Sequence, residues 1–442
     1  MDRIVKRDGR IVPLDREKIV FAVLRAFVAA GRRNQGEAER VADHVVTMLV
    51  ERDSQGTYPT VEEVQDLVER SLIEGEHVET AKAYILYRYE HALKREGKKS
   101  LSYSQENIPY KKLWEALSWA VDHRCVTLSQ ICDMTEEGTF PRLIRESEDF
   151  YCSELDSAVG SILERIDDVG IIIVAGPSSS GKTTTTMKIE ERLRRKGITL
   201  IAMNVDNYFM DLDLHPRDTT GDYDYETPQA LDMELVNRDL HLLLAGEEVR
   251  IPSYNFRTGK RVQTGSTMKL RANDRIIIDS LHGLFPEMTA GIAEERKLKL
   301  YIETLSQTKD ADGRFVRWAD VRMLRRMVRD MQFRNYSPSL TAAHWHLVRR
   351  SELRYIISRL REAHVIVNSS LAYELPVLKN RLGGLCASLV AEFQNDPNRT
   401  DAFERVTRVA TLFEQIPEWK DEKAIPRDSL LREFVGGSIY GY

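Results

Sequence analysis

The stretch Gly170-Ile-Ile-Ile-Val-Ala-Gly-Pro-Ser-Ser-Ser-Gly-Lys-Thr-Thr184 limits this chain more than any other. A β-branched apolar run ends in G-x-x-x-x-G-K-[ST], satisfied by Gly176, Gly181, Lys182 and Thr183, and a helical pattern follows from Met187. That spacing curls the backbone until its N–H groups surround a phosphate at the positive end of the next helix. A strand must precede it and a helix must follow, so the chain needs an α/β domain with a parallel sheet flanked by helices. The loop from Gly176 through Ser179, Ser180, Gly181, Lys182, Thr183 and Thr184 is the expected seat of ATP phosphates. Lys182 should reach the β- and γ-phosphates, and the Thr183 hydroxyl should ligate Mg²⁺.

At 442 residues the chain is long for one core, and two or three domains are expected. A net charge of −5, from 64 basic and 69 acidic side chains, gives no reason to expect nucleic acid as a partner. No apolar run approaches the ~20 residues that span a bilayer, and the first ten residues lack the apolar core of a secretion signal, so no membrane and a cytoplasmic location are expected. The four cysteines are scattered and read as free thiols, with a metal cluster of His123, Cys125, Cys132 and Cys152 as the less favoured alternative.

Texture divides the chain into four stretches. Residues 1–95 open with a hairpin pattern around Asp8-Gly9 and continue with apolar-striped helices, one introduced by the capping-box pattern Thr60-Val-Glu-Glu63. Residues 96–165 read as a helical connector without recognisable chemistry. Residues 166–380 alternate β-branched runs with helices, and 381–442 form a C-terminal helical extension.

Within the third stretch, Ile198 to Val205 reads as a strand that delivers Asp206 at its carboxyl end, where open parallel sheets bind ligands. Asp206 is either a general base for an attacking hydroxyl or a turn-capping aspartate. Arg275-Ile-Ile-Ile-Asp279 is a second buried-strand pattern ending in a carboxylate, and Asp279 is expected to hold the magnesium with Thr183, directly or through water. Arg322, Arg325, Arg326 and Arg329 recur at helix spacing, with Arg334 beyond them. This tract is either a solvated face or a set of mobile cations that cover a transferring phosphoryl group.

The phosphate loop, Asp206-Asn-Tyr208, Gly221-Asp-Tyr-Asp-Tyr-Glu226, Ala230-Leu-Asp232, Ile251 to Arg261, Arg325 to Arg334, Asn368 to Leu375 and the tail motif Arg432-Glu-Phe-Val-Gly-Gly-Ser438 together resemble the uridine kinase and phosphoribulokinase group of P-loop kinases. The likeness is strongest to a bacterial uridine kinase-like subgroup whose kinase module follows a different N-terminal domain. It implies a P-loop kinase with Mg²⁺ and ATP, in which Asp206 is the general base and Lys182, Arg325 and Arg329 stabilise the transferring phosphoryl group. Tyr208, Asp232, Tyr254 and Arg334 would line the acceptor pocket. The acceptor is a nucleoside of the uridine or cytidine kind, or a related sugar-containing metabolite. Two positions depart from the group. Thr258-Gly259-Lys260 stands where a base-recognising histidine is usual, and Asp279-Ser-Leu-His-Gly283 replaces Glu-Gly-Ile-His-Gly.

Val5-Lys-Arg-Asp-Gly-Arg10, Asp15 to Ile19 and Ala83 to Arg88 resemble the ATP-cone, a small nucleotide-sensing domain of ribonucleotide reductases and a related repressor. The resemblance implies a mostly helical domain with a β-hairpin, in which Lys6, Arg7, Lys18 and Thr60 contact ATP or dATP as an allosteric ligand. The whole is expected to be a homo-oligomer. Two further readings compete with a regulated nucleoside kinase: a nucleotide-responsive regulator with a decayed kinase module, and a kinase of a non-nucleoside polyol or sugar phosphate.

Overall fold

The computed structural model describes residues 3–5, 11–32, 34–51, 58–75, 77–85, 88, 108–216, 223, 227–255, 258–262, 265–396 and 399–441. The chain forms two compact units, Met1–Ser100 and Leu101–Tyr442. Lys6, Arg7 and the Asp8-Gly9 turn lie outside the described residues.

In the first unit, β1 (Arg3–Val5) pairs antiparallel with β2 (Ile11–Pro13), Ile4 opposite Val12. Helices α1 (Arg16–Ala29), α2 (Gln35–Glu51) and α3 (Val61–Glu74) follow, with a further helical run over 78–85. Val23 and Phe27, Val45 and Leu49, and Val68 and Leu72 each lie four residues apart on their helices and are buried. A hairpin and helices are the architecture expected for this stretch. Thr60 caps α3: its hydroxyl accepts the Glu63 N–H at 3.2 Å, and Glu63 Oε2 accepts the Thr60 N–H at 2.6 Å. The Lys18 side chain is exposed on α1 and pairs with Asp15 at 3.1 Å.

The second unit begins with α4 (Tyr110–Asp122), α5 (Leu128–Glu136) and α6 (Phe140–Leu163). Next come β3 (Ile171–Ala175), α7 (Lys182–Arg194), β4 (Thr199–Ala202) and α8 (Met233–Leu244). Two short antiparallel pairs follow, β5 (Val249–Arg250) with β8 (Thr267–Met268) and β6 (Ser253–Asn255) with β7 (Lys260–Val262). The chain then forms β9 (Asp274–Asp279), β10 (Lys297–Glu303), α9 (Trp318–Phe333), α10 (Pro338–Ser351) and β11 (Val365–Asn368). It closes with α11 (Glu374–Leu382), α12 (Cys386–Phe393), α13 (Thr400–Glu414) and the short α14 (Arg432–Val435).

Five strands form one parallel sheet in the order β11-β10-β3-β9-β4, the P-loop kinase arrangement. Both faces are covered, which is why these strands read as unbroken apolar runs. Alternation assigns the faces: Ile171 and Ile173 join the core under α8, whereas Ile172 and Val174 join the larger core under α6 and α9. The first strand is central and its neighbours come later in the chain, so the sheet's switch point falls at the carboxyl end of β3, where the phosphate loop begins.

The stretches expected as a connector and a C-terminal extension are instead layers of this second unit. Ile144, Leu155 and Ile162 of α6 and Val406, Leu430 and Phe434 of the tail are buried in the same core as the sheet. The Tyr151 hydroxyl lies 2.7 Å from Thr185 Oγ1 on α7. Apolar periodicity marks a face to be buried but carries no information about which neighbour buries it. Among the described residues, no helix is long and apolar enough to cross a membrane.

Candidate functional site

The phosphate loop forms between β3 and α7. Gly176 has φ 152°, and a Cβ there would lie 2.2 Å from the Ile302 carbonyl oxygen, so this position admits only glycine without a backbone shift. Gly181, at φ 86°, immediately precedes α7. Ser178, Ser179, Gly181, Lys182 and Thr183 line a cavity of ≈ 210 Å³ with Leu281, Arg326, Arg329, Arg334 and Glu433. Ser179 Oγ and Ser180 Oγ are buried with no hydrogen-bond partner among the described residues. Buried hydroxyls left without an acceptor fit the oxygens of a bound phosphate.

Thr183 Oγ1 donates to Asp279 Oδ2 at 3.3 Å, so a hydroxyl and a carboxylate, both hard oxygen donors, stand side by side at the loop. That donor set fits Mg²⁺ bound by a few protein oxygens together with phosphates. Burial pushes the Asp279 carboxyl up to about 6; Glu433 and Asp206 add to this, while Lys182 and the Thr183 hydrogen bond oppose it. Burial lowers the Lys182 ammonium, against the pull of Asp279 and Glu433, and Lys182 donates to the Pro177 carbonyl at 3.1 Å.

Asp206 sits in a short 3₁₀ turn, Val205–Tyr208, beyond β4, its own N–H bonded to Asn204 Oδ1 at 2.9 Å. Solvent reaches its carboxylate, yet the surrounding protein raises its pKa, opposed by Lys182 and Arg334. The topology therefore brings together a carboxylate from one strand end, the lysine of the phosphate loop and an arginine following α9.

The arginine tract divides in two. Arg325 is fully buried: its Nε donates to Glu374 Oε2 at 2.6 Å and its Nη2 to Glu374 Oε1 at 3.1 Å and to the Ser369 carbonyl at 2.8 Å. This corrects its expected place among mobile phosphate-covering cations, because a guanidinium committed to a buried carboxylate leaves it only at a large desolvation cost. Arg322 is held likewise, 2.9 Å from Glu303 and 2.5 Å from Glu352. Glu352 also accepts the Ser178 N–H at 3.2 Å; burial would raise this carboxyl, but Arg322 and Arg349 hold it below the usual range. These two pairs brace the loop from beneath.

The arginines that line the cavity are Arg326, Arg329 and Arg334. All three turn to one buried carboxylate, Asp330, at 3.2, 3.3 and 3.4 Å, and Arg326 Nη1 also donates to Ser178 Oγ at 3.1 Å. Burial and the neighbouring Arg334 lower the Arg329 guanidinium. The organising Asp330 was not singled out as a site residue from sequence. Helix spacing offered the signal for Arg326; nothing local marked Glu303, Glu352 or Glu374 as partners, since they belong to distant segments.

The expected acceptor residues fall nearby with differing roles. Tyr208 is fully buried and its hydroxyl donates to Asp239 Oδ2 at 3.0 Å, which corrects its expected place on the pocket surface. Asp232 caps α8 through the Leu235 N–H at 3.0 Å and pairs with Arg261 at 2.8 Å. Tyr254 is mostly buried, its ring 5.5 Å from Phe209 and its N–H bonded to Asn207 Oδ1 at 3.4 Å. Lys260, in the segment that departs from the family pattern, is paired with Asp211 and Asp213 at 3.2 and 3.0 Å.

Comparison with known proteins gives two family matches. The profile described as "Phosphoribulokinase / Uridine kinase family" matches residues 171–374, and that described as "ATP cone domain" matches residues 2–93. The chain is 32% identical to a uridine kinase of Deinococcus deserti over 198 residues, 45% of this chain and 86% of the relative. It is 31% identical to a uridine kinase of Halalkalibacterium halodurans over 219 residues, 48% of this chain and 93% of the relative. A further 100 residues are 39% identical to a vitamin B12-dependent ribonucleoside-diphosphate reductase of Thermoplasma acidophilum, covering 22% of this chain and 12% of that one.

Proposed function

Because the chain belongs to the phosphoribulokinase and uridine kinase family and carries an ATP-cone domain, we propose that it is an ATP-dependent kinase. It transfers the γ-phosphoryl group to a hydroxyl of a nucleoside or related sugar-containing metabolite, and a nucleotide at the first unit regulates it. The observation that carries this reading is the phosphate-loop cavity at the carboxyl edge of the sheet, lined by Ser178, Ser179, Lys182, Thr183, Arg326, Arg329 and Arg334.

The acceptor hydroxyl attacks the γ-phosphorus, an O–P bond forms, the bond to the β–γ bridging oxygen breaks, and ADP leaves. Asp206 takes the hydroxyl proton; its raised pKa makes it a better acceptor than a free aspartate, while solvent access lets the proton depart. Lys182 and the fan of Arg326, Arg329 and Arg334 on Asp330 balance the charge of the γ-phosphoryl oxygens. Thr183 and Asp279 would hold Mg²⁺, which when bound neutralises phosphate charge. Ser178, Ser179 and Ser180 cradle phosphate oxygens.

The relatives' names make a pyrimidine nucleoside the first acceptor to test. Lys18 and Thr60, together with Lys6 and Arg7, are the proposed contacts for ATP or dATP in the first unit. The Thr60 hydroxyl already serves a helix cap, so a nucleotide would share or displace that bond. The test is phosphoryl transfer from ATP with Mg²⁺ to a panel of nucleosides, sugar phosphates and polyols, with Asp206→Asn alongside. Turnover that falls by about 10²–10⁴ in D206N while ATP binding persists supports the assignment. ATP binding without turnover of any acceptor in the native protein would favour a regulator instead.

A further inference from the structure

The tail motif Arg432 to Ser438 has no part in the chemistry above, yet its glutamate sits in the phosphate loop. The backbone N–H of Thr184 donates to Glu433 Oε2 at 3.1 Å, and the Thr184 hydroxyl donates to the same oxygen at 2.7 Å. Thr184 lies in the first turn of α7, whose N–H groups point where a phosphate binds. Glu433 is only 6% exposed and lines the cavity that holds Lys182, Arg326, Arg329 and Arg334.

The carboxylate is delivered by a segment fastened along one face of α7. Asp428 pairs with Lys188 at 2.9 Å, and the Tyr440 hydroxyl donates to Glu191 at 3.2 Å. Thr184, Lys188 and Glu191 are spaced by four and three residues, so the three contacts share one helix face. Leu430 packs so closely on the loop that a Cβ at Gly181 would lie 2.5 Å from it. Arg432 ties the segment to itself through the Ile425 carbonyl at 2.9 Å and the Gly436 carbonyl at 3.2 Å.

A phosphate oxygen cannot take the same N–H and hydroxyl while the carboxylate keeps them, and two anions repel strongly where protein excludes water. We propose that Glu433 is an internal anionic competitor, seated in the phosphate cradle by the tail, which the polyphosphate of the donor nucleotide must displace in order to bind. Donor affinity is then set by how firmly residues 425–438 hold the glutamate on Thr184. This rests on the kinase reading only for the identity of the donor.

The sign of one substitution separates a competitor from a permanent helix cap or a catalytic group. Calorimetric titration of the full chain with ATP and Mg²⁺, and with inorganic tripolyphosphate, is compared between the native protein and Glu433→Gln, which keeps the shape and removes the charge. The expected result is binding at least about tenfold tighter in E433Q for both probes. Equal or weaker binding by a variant with an unchanged melting curve would overturn the proposal. A second measurement needs no variant: hydrogen exchange of amides 425–438 in the native protein should speed up when ATP binds, and unchanged or slower exchange would overturn it equally. Phosphoryl transfer measured in parallel keeps the two ideas apart. Tighter binding without turnover defeats the kinase reading and leaves the competitor standing, whereas turnover without tighter binding does the reverse.

Discussion

Arg325→Met tests whether the buried half of the arginine tract is scaffold or catalyst. The substitution removes two hydrogen bonds to Glu374, at 2.6 and 3.1 Å, one to the Ser369 carbonyl at 2.8 Å and one to the Ser179 carbonyl at 3.5 Å. Glu374 is 2% exposed, and among the described residues its carboxylate also accepts the Leu371 N–H at 3.2 Å. A carboxylate stranded in that way destabilises a fold by about 3–5 kcal/mol. For a unit the size of Leu101–Tyr442 this corresponds to a fall in melting temperature of about 4–7 °C, at about 2.1 cal/mol/K of unfolding entropy per residue. The double variant R325M/E374Q removes the stranded charge and retains an acceptor for Leu371, so it should recover more than half of the loss. Denaturant unfolding of the native protein, both single variants and the double variant gives the coupling directly. Transfer rates measured well below the transition should fall far less than the 10³–10⁵ characteristic of an arginine that meets the transition state. An R325M protein of nearly native stability whose turnover drops by that factor would refute the scaffold assignment.

Two shorter predictions follow from local geometry. Gly176→Ala places a methyl group against the Ile302 carbonyl and should cost about 1–3 kcal/mol and abolish ATP binding, as read by unfolding midpoint and calorimetry. His364 Nδ1 accepts the Lys299 N–H at 3.0 Å, and burial, Arg165 and Lys299 hold its pKa at about 4, below the ordinary 6.5. Its folded-state pKa is depressed, so the unfolded chain binds the proton first and stability falls as pH drops from about 6.5 toward 4. Between pH 7 and 5 the loss should be about 1 kcal/mol after allowance for solvent screening, and His364→Asn should flatten that part of the denaturation profile.

What was legible in the sequence is local. The phosphate loop follows from the spacing of Gly176, Gly181 and Lys182, because a backbone curled to present its N–H groups needs those residues at those positions. The sheet strands declare themselves by unbroken apolar runs, since both faces are buried, and the Thr60–Glu63 cap involves residues three apart. Asp206 could be placed at a strand end because strand periodicity and the carboxyl-edge rule suffice for that.

Only the tertiary structure decided which charges are available. Arg322, Arg325, Arg326 and Arg329 are alike by spacing, yet Glu352 and Glu374, brought in from beyond α10 and β11, remove the first two into the interior. Tyr208 leaves the pocket surface because Asp239 lies beneath it, and Glu433 reaches Thr184 from 249 residues away. A charged side chain can point either to water or to a partner, and the choice turns on a desolvation cost that only a buried counter-charge offsets. Composition and periodicity contain the residues that make these pairs but not the pairing, which exists only once the chain is folded.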